Sequence, residues 1–440
     1  MKHKKIPYLY STVMLLLLTV LMLVSLHFYI EYASIGVTPP PVVWCLSGVS
    51  LLLLSYVGYT VFAAMFYRPV RRLSAAELPG CTIIVPAYNE GKGVANSLNS
   101  LLQSNYPADR LEVIAIDDGS KDDTFMWIRR TAEENPGRIR VMRMPRNSGK
   151  KAALCAGIRA ARFDYIVTVD SDSVIGRNSL CAIISAFTSP KVGAVAGNIR
   201  VLNRQDGVIP CMMDIGFTYG FEIVRASQSL FQCVLCTPGA LSAYRKEVLM
   251  RLLDRWHDQH FLGVPARIGE DRAIATMILA SDYDIVFARN AVAWTEIPSS
   301  YPTFCRIMLR WTRSDIRENY LLLRWLLSQH RYSGRLLALW WHNTVQILNT
   351  LLPALVLPAL LMTALFASRT ALFTCLTAAL GIGALTAEVP AVVYARRVSM
   401  TPSLWAFASS ALNVFGLSWI PLYSVFTLRN TGWLTRAVKK

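Results

Sequence analysis

Residues 165–173 read YIVTVDSDS. Tyr165–Val169 is aromatic and β-branched, which favours a strand, and the run stops at Asp170-Ser171-Asp172. Alternation sends Asp170 and Asp172 to one side for as long as the strand geometry lasts. The same pattern recurs upstream. Cys81–Val85 ends at Pro86-Ala87-Tyr88-Asn89-Glu90, and Leu111–Ile116 ends at Asp117-Asp118-Gly119-Ser120. Arg140–Met144 reads as a further strand, and helical patterns fill the intervals. Strands alternating with helices predict an α/β domain: a parallel, doubly wound sheet with helices on both faces. In such sheets ligands bind beyond the carboxyl ends of the strands, and that is where the three polar clusters fall.

The residue types at those ends suggest a chemistry. Paired carboxylates at Asp170 and Asp172 are hard oxygen ligands that suit Mg²⁺ or Mn²⁺, which binds one or two carboxylates plus substrate phosphates. Asp118 suits a hydrogen-bond acceptor for a nucleobase or ribose, although Asp-Gly also makes ordinary turns. Neither G-x-G-x-x-G nor G-x-x-x-x-G-K-[ST] occurs, so a dinucleotide oxidoreductase and a P-loop NTPase are unsupported. Gly149-Lys150-Lys151 opens a helix without a glycine-rich cradle before it. Gly269-Glu270-Asp271-Arg272 opens another. Its acids are either a first-turn pair favoured by the helix dipole or a general base. Arg306, Arg310, Arg313 and Arg317 share one helical face beside Trp311. They fit either anionic lipid headgroups or a diphosphate.

Composition sets the surroundings. Of 440 residues, 53% are hydrophobic and only 17% charged, with a formal net charge of +17. Apolar residues concentrate before about residue 67 and after about residue 336, as expected of a chain partly in lipid. Tyr8–Ile30 and 42–66 read as a transmembrane hairpin with basic residues at both outer ends, which places the middle domain in the cytosol. Three further apolar stretches cover 336–366, 371–395 and 402–428. His342, Asn343, Gln346 and Asn349 suggest that the first of these lies at an interface or faces a polar channel. These lipid-length segments around the basic residues argue against nucleic-acid binding. The nine cysteines, including Cys233 and Cys236, form no disulfide or zinc pattern and read as packing residues.

Taken in order, IIVPAYNE (83–90), DDGS (117–120), GKKAALCAG (149–157), DSDS (170–173), VGAVAGNIRV (192–201), GEDR (269–272), RW (310–311) and WLTR (433–436) resemble the inverting family-2 glycosyltransferases. The closest resemblance is to processive membrane synthases such as hyaluronan and chitooligosaccharide synthases. It implies a GT-A cytosolic domain (73–300) between an N-terminal transmembrane hairpin (1–72), amphipathic interfacial helices carrying the RW motif (301–335) and a C-terminal channel region with its tail (336–440). It also implies that Asp118 and Lys150 contact the nucleotide. Asp170 and Asp172 hold the diphosphate and metal, Asp172 as the direct ligand. Asp271, beside Glu270, is the base, and Arg310 and Trp311 flank the acceptor. Trp433 and Arg436 close the site from a cytosolic tail. Two departures stand near the expected acceptor: Ile307 replaces a glutamine, and Pro238-Gly239-Ala240-Leu241 keeps only the glycine of a small-Gly-Pro element.

The expected function is therefore processive β-transfer from a UDP-sugar, UDP-GlcNAc or UDP-GlcA favoured, onto a growing polysaccharide. The expected location is the inner (plasma) membrane, with membrane lipids and an accessory export subunit as further partners. The rivals are transfer to a lipid-linked acceptor, a mannuronan-type synthase using a GDP-sugar, and a non-catalytic export subunit.

Overall fold

The computed structural model describes residues 41–330, 333–352 and 387–430, with Ala354, Leu355, Pro358, Leu365 and Gly432. Its strands are β1 (Cys81–Ala87), β2 (Leu111–Asp117), β3 (Ile139–Arg143), β4 (Tyr165–Thr168), β5 (Ser173–Ile175), β6 (Val192–Val201), β7 (Ser242–Arg245), β8 (His260–Phe261), β9 (Val264–Pro265) and β10 (Asp284–Thr295). Eight of them form one sheet in the order β3-β2-β1-β4-β7-β6-β10-β5, and β8 and β9 pair separately. The four predicted strands match β1 to β4 to within two residues. Their apolar runs are continuous because both sheet faces are covered: Ile83, Ile84, Ile114, Ile116, Ile166 and Val167 are fully buried.

The sheet is mixed, which corrects the all-parallel expectation. β3, β2, β1 and β4 are parallel to one another, as is β6 to β10. β7 runs antiparallel to both β4 and β6, and β5 antiparallel to β10. β7 follows a helical excursion through residues 208–230 and returns between two existing strands. Antiparallel neighbours need no handed crossover. With four residues, β7 carries little pattern to read.

Seven helices matter below: α1 (Pro41–Phe66), α2 (Lys150–Ala160), α3 (Val208–Tyr219), α4 (Lys246–His257), α5 (Glu270–Ala280), α6 (Tyr301–Leu327) and α7 (Gly334–Leu351). Among the described residues no helix is long and apolar enough to cross a membrane. The expected flanking spans therefore find no support there, and the run 8–30 lies outside the described residues, as does most of 353–386. The stretch 402–428 is not one span. It breaks into Trp405–Ala411, a π-helical turn over Leu412–Gly416, and Trp419–Phe426. Of the polar residues of α7, Asn349 is exposed and Gln346 half-buried, whereas two are turned into the protein. His342 and Asn343 are buried. His342 Nδ1 is hydrogen-bonded to Tyr56 Oη at 3.1 Å, and Asn343 Nδ2 donates to the Asn319 carbonyl at 3.2 Å. Burial makes those partners obligatory.

The start of α5 is the tightest junction. Gly269 has φ +68°, and a Cβ there would lie 1.7 Å from Ser314 Oγ on α6. Only glycine satisfies both the left-handed backbone and the contact. Gly269→Ala should cost about 2–4 kcal/mol of stability from strain and overpacking. The midpoint of thermal unfolding will show it, and pairing it with Ser314→Gly should restore only part of the loss.

Candidate active site

Four of the sequence-selected side chains meet in one cavity beyond the end of β4: Lys150, Asp170, Glu270 and Asp271. Lys150 opens α2, Asp170 follows β4, and the two acids open α5. The Lys150 ammonium lies 2.5 Å from Asp170 Oδ1 and 2.7 Å from Glu270 Oε1. Burial disfavours its charge, but the two carboxylates outweigh burial and raise its pKa above the ordinary lysine value. Burial likewise pushes Glu270 up, yet Lys150 and then Arg310 hold it well below the usual carboxylate range.

Asp271 behaves oppositely. Burial raises its carboxyl and the charge of Glu270 adds to that, so its pKa moves to about 6. Its Oδ1 accepts the Arg272 N–H at 2.7 Å, and its main-chain oxygen accepts from Thr237 Oγ1 at 3.0 Å. Two adjacent acids with pKa values pushed apart, one fixed as an anion and one tuned toward neutrality, form a pattern found at acid–base sites.

Residues 82–253 match the family described as Glycosyl transferase family 2. An N-acetylglucosaminyltransferase of Sinorhizobium fredii (strain NBRC 101917 / NGR234) is 30% identical over 373 residues, spanning 81% of this chain and 84% of that protein. One from Rhizobium sp. (strain N33) is 31% identical over 361 residues, spanning 81% and 77%. The chain belongs to glycosyl transferase family 2. A solved mannosyltransferase of Pyrobaculum calidifontis, in complex with GDP-Man and Mn²⁺, superposes with a TM-score of 0.58 at 21% identity, over 84% of this chain and 99% of that one. With the mixed sheet, that likeness gives the GT-A fold.

The remaining selected residues of this glycosyltransferase divide by role. Asp118 is buried, and its two oxygens accept the main-chain N–H groups of Ser148 (2.9 Å) and Gly149 (2.8 Å). It thereby fixes the loop that delivers Lys150. Burial raises its pKa against those two hydrogen bonds. Asp172 Oδ1 accepts from Ser173 Oγ at 3.2 Å. Among the described residues no group of three metal-ligating side chains occurs. The donor set at Asp170 and Asp172 is two hard carboxylates at a strand end, which fits Mg²⁺ or Mn²⁺ completed by substrate phosphates. Trp311 packs against Phe217 of α3, ring centroids 6.2 Å apart. Trp433 and Arg436 lie outside the described residues.

The arginine face of α6 is not a uniform stripe. Arg306 is exposed, whereas Arg313 and Arg317 are buried. Arg313 donates to Thr427 Oγ1 at 2.8 Å, and Arg317 to the Ile268 carbonyl at 2.7 Å. Those two hold protein rather than lipid or phosphate, because the C-terminal segment and the loop before Gly269 cover that side of the helix.

Four residues of the site received no such role in the sequence reading, although Gly239, Cys236 and Arg272 were noted there. A Cβ on Gly239 would lie 2.6 Å from Lys150 Nζ and 2.9 Å from Asp170 Oδ2, so glycine lets the loop approach the ion pair. Cys236 Sγ lies 3.9 Å from Asp271 Oδ2, so it borders the site instead of merely packing. Arg225 ends a π-helical turn over Gly220–Arg225 and sits 3.8 Å from the Phe221 ring centroid. In sequence FEIVRASQ is simply helical, although π-turns concentrate at functional sites. Arg272 links α5 to its surroundings. It donates to the carbonyl of Leu235, to Asn319 Oδ1 and, at 3.0 Å, to Gln346 Oε1.

Two outcomes are expected. Transfer should rise with pH through about 6 as Asp271 loses its proton. Glu270→Gln removes the neighbouring charge that raises Asp271, so the acid limb of the kcat/KM profile should move to lower pH. Gly239→Ala should lower the unfolding midpoint and cut kcat by about tenfold to a hundredfold, because the new methyl displaces the Lys150–Asp170 pair.

Proposed function

We propose that this protein is an inverting, processive N-acetylglucosaminyltransferase that extends a β-linked glycan from UDP-N-acetylglucosamine. The observation that carries the reading is Asp271, a half-buried carboxyl raised toward neutrality beside the Lys150–Asp170 pair. The acceptor hydroxyl attacks the anomeric carbon, its proton passes to Asp271, and the bond to the diphosphate breaks with departure of UDP. One new glycosidic bond forms for each bond broken to the nucleotide. Asp172 and Asp170 would hold Mg²⁺ or Mn²⁺, which when bound neutralises charge developing on the leaving diphosphate. Lys150 keeps Glu270 ionised and holds Asp170 in place, and Asp118 holds the start of α2. Trp311 offers an aromatic wall to the acceptor sugar, and Arg310 contributes positive charge beside Glu270. The curated relatives named N-acetylglucosaminyltransferase support the choice of sugar.

Processive growth and export from an inner-membrane location belong to the same proposal. They rest on the apolar runs at 8–30 and 371–395 and on the WLTR tail. Lipids and an accessory export subunit would be its further partners.

The full chain should release UDP from UDP-N-acetylglucosamine only with Mg²⁺ or Mn²⁺ present, and form products that stay bound through several additions. Asp271→Asn should lower the rate by about 10²–10⁴. Full activity in EDTA, or an unchanged rate in Asp271→Asn, refutes the mechanism. Products of a single added sugar refute processivity, and full recovery in the soluble fraction refutes the membrane location.

A further inference from the structure

We propose that a second cleft, at the carboxyl ends of β6 and β10, is a binding site for a short neutral oligosaccharide. It encloses about 650 Å³, within the roughly 300–1,000 Å³ of small-molecule sites. Its walls share no residue with the cavity around Lys150. Arg200, Leu202, Arg204, Gln205, Trp294 and Val398 line it. Trp294 on β10 stands in register with Arg200 on β6, and Val174 of β5 pairs with Trp294 from the other side. Val174 follows Asp172 by two residues. The cleft therefore adjoins the acidic turn along the sheet without being part of it.

The walls are pre-formed. Asn203 Nδ2 donates to the Ile297 carbonyl at 2.8 Å, and its Oδ1 accepts the Ile297 N–H at 2.9 Å. Asp214 is buried, accepting from the Val201 N–H at 3.1 Å and from Tyr394 Oη at 2.8 Å. A loop clamped in this way keeps its shape when empty, which lowers the ordering cost of binding.

The chemistry of the wall selects the ligand class. Arg200 pairs with Glu222 at 3.0 Å, and Arg204 lies 3.9 Å from Asp214. Asp206 adds a further negative charge to the wall. Each arginine of the wall has an acid partner, Glu222 being shared with Arg289 and Arg397, so these charges are tied into ion pairs within the protein. What the cleft offers is an indole, the apolar Leu202 and Val398, an exposed amide at Gln205, and the guanidinium edge of Arg204, 44% exposed. An aromatic plane suits the C–H face of a pyranose, and planar donors and acceptors suit its hydroxyls. The choice of an N-acetylglucosamine oligomer as ligand rests on the function proposed above.

The test is calorimetric titration of the full chain with chitotetraose, without nucleotide. The wild-type chain should bind it. Trp294→Leu should weaken binding by about tenfold, as expected for loss of one aromatic contact, and Arg204→Ala and Gln205→Ala on the exposed rim should weaken it by smaller factors. Because Trp294 is half-buried, the two rim variants decide the matter if Trp294→Leu fails to fold. No binding by the wild-type chain, equal affinity in the folded variants, or competition by UDP for the same heat would each overturn the assignment. Donor cleavage by the wild-type chain is measured separately, so failure of the transfer reaction and failure of the cleft are distinguishable.

Discussion

The Lys150 ammonium, held between Asp170 and Glu270 at 2.5 and 2.7 Å, is the interaction on which the site depends. Three carboxylates converge there from β4 and α5. Without a cation among them they would repel one another by several kcal/mol at these separations, even at an effective dielectric constant of about 20. Lys150 removes most of that cost and fixes which acid carries charge. It keeps Glu270 ionised, and Glu270 in turn raises Asp271. Asp118 belongs to the same device one step removed, since its two hydrogen bonds set where α2 begins.

A second set of contacts fixes the base from the opposite side. Gly269 lets α5 touch Ser314, and Arg317 reaches the Ile268 carbonyl just before it. Arg272 then joins α5 to α6 and α7 through Asn319 and Gln346. The carboxyl that takes the proton is therefore placed by a helix whose first turn is bound on several sides. Hydrogen bonds to a buried charged group are among the stronger ones, and leaving such a group unpaired is costly.

Much of this was legible in the sequence because it rests on local pattern. Continuous apolar runs with acids at their ends gave β1, β2 and β4 and, with the order of the motifs, the family. What the sequence hid depends on distance in the chain. Lys150 and Lys151 are neighbours of one type, yet one enters the site and the other is buried, donating to the Ala266 carbonyl at 2.8 Å. Arg313 and Arg317 have the spacing of an exposed stripe, but segments more than forty residues away cover them. Gly239 looked like the remnant of a motif, and its reason is steric. The direction of β7 followed from where a gap in the sheet remained, which no short run of residues encodes.

The Arg272 contacts have a consequence for how such a protein can change. The family resemblance implies a boundary near residue 300, as though the catalytic unit and the following helices were separable modules. The guanidinium that anchors the first turn of α5 takes two of its acceptors from beyond that boundary. A recombination that exchanged those helices for another set would leave a buried cation short of partners next to the base. The two parts of the chain must therefore diverge together, and inheritance should treat them as one unit.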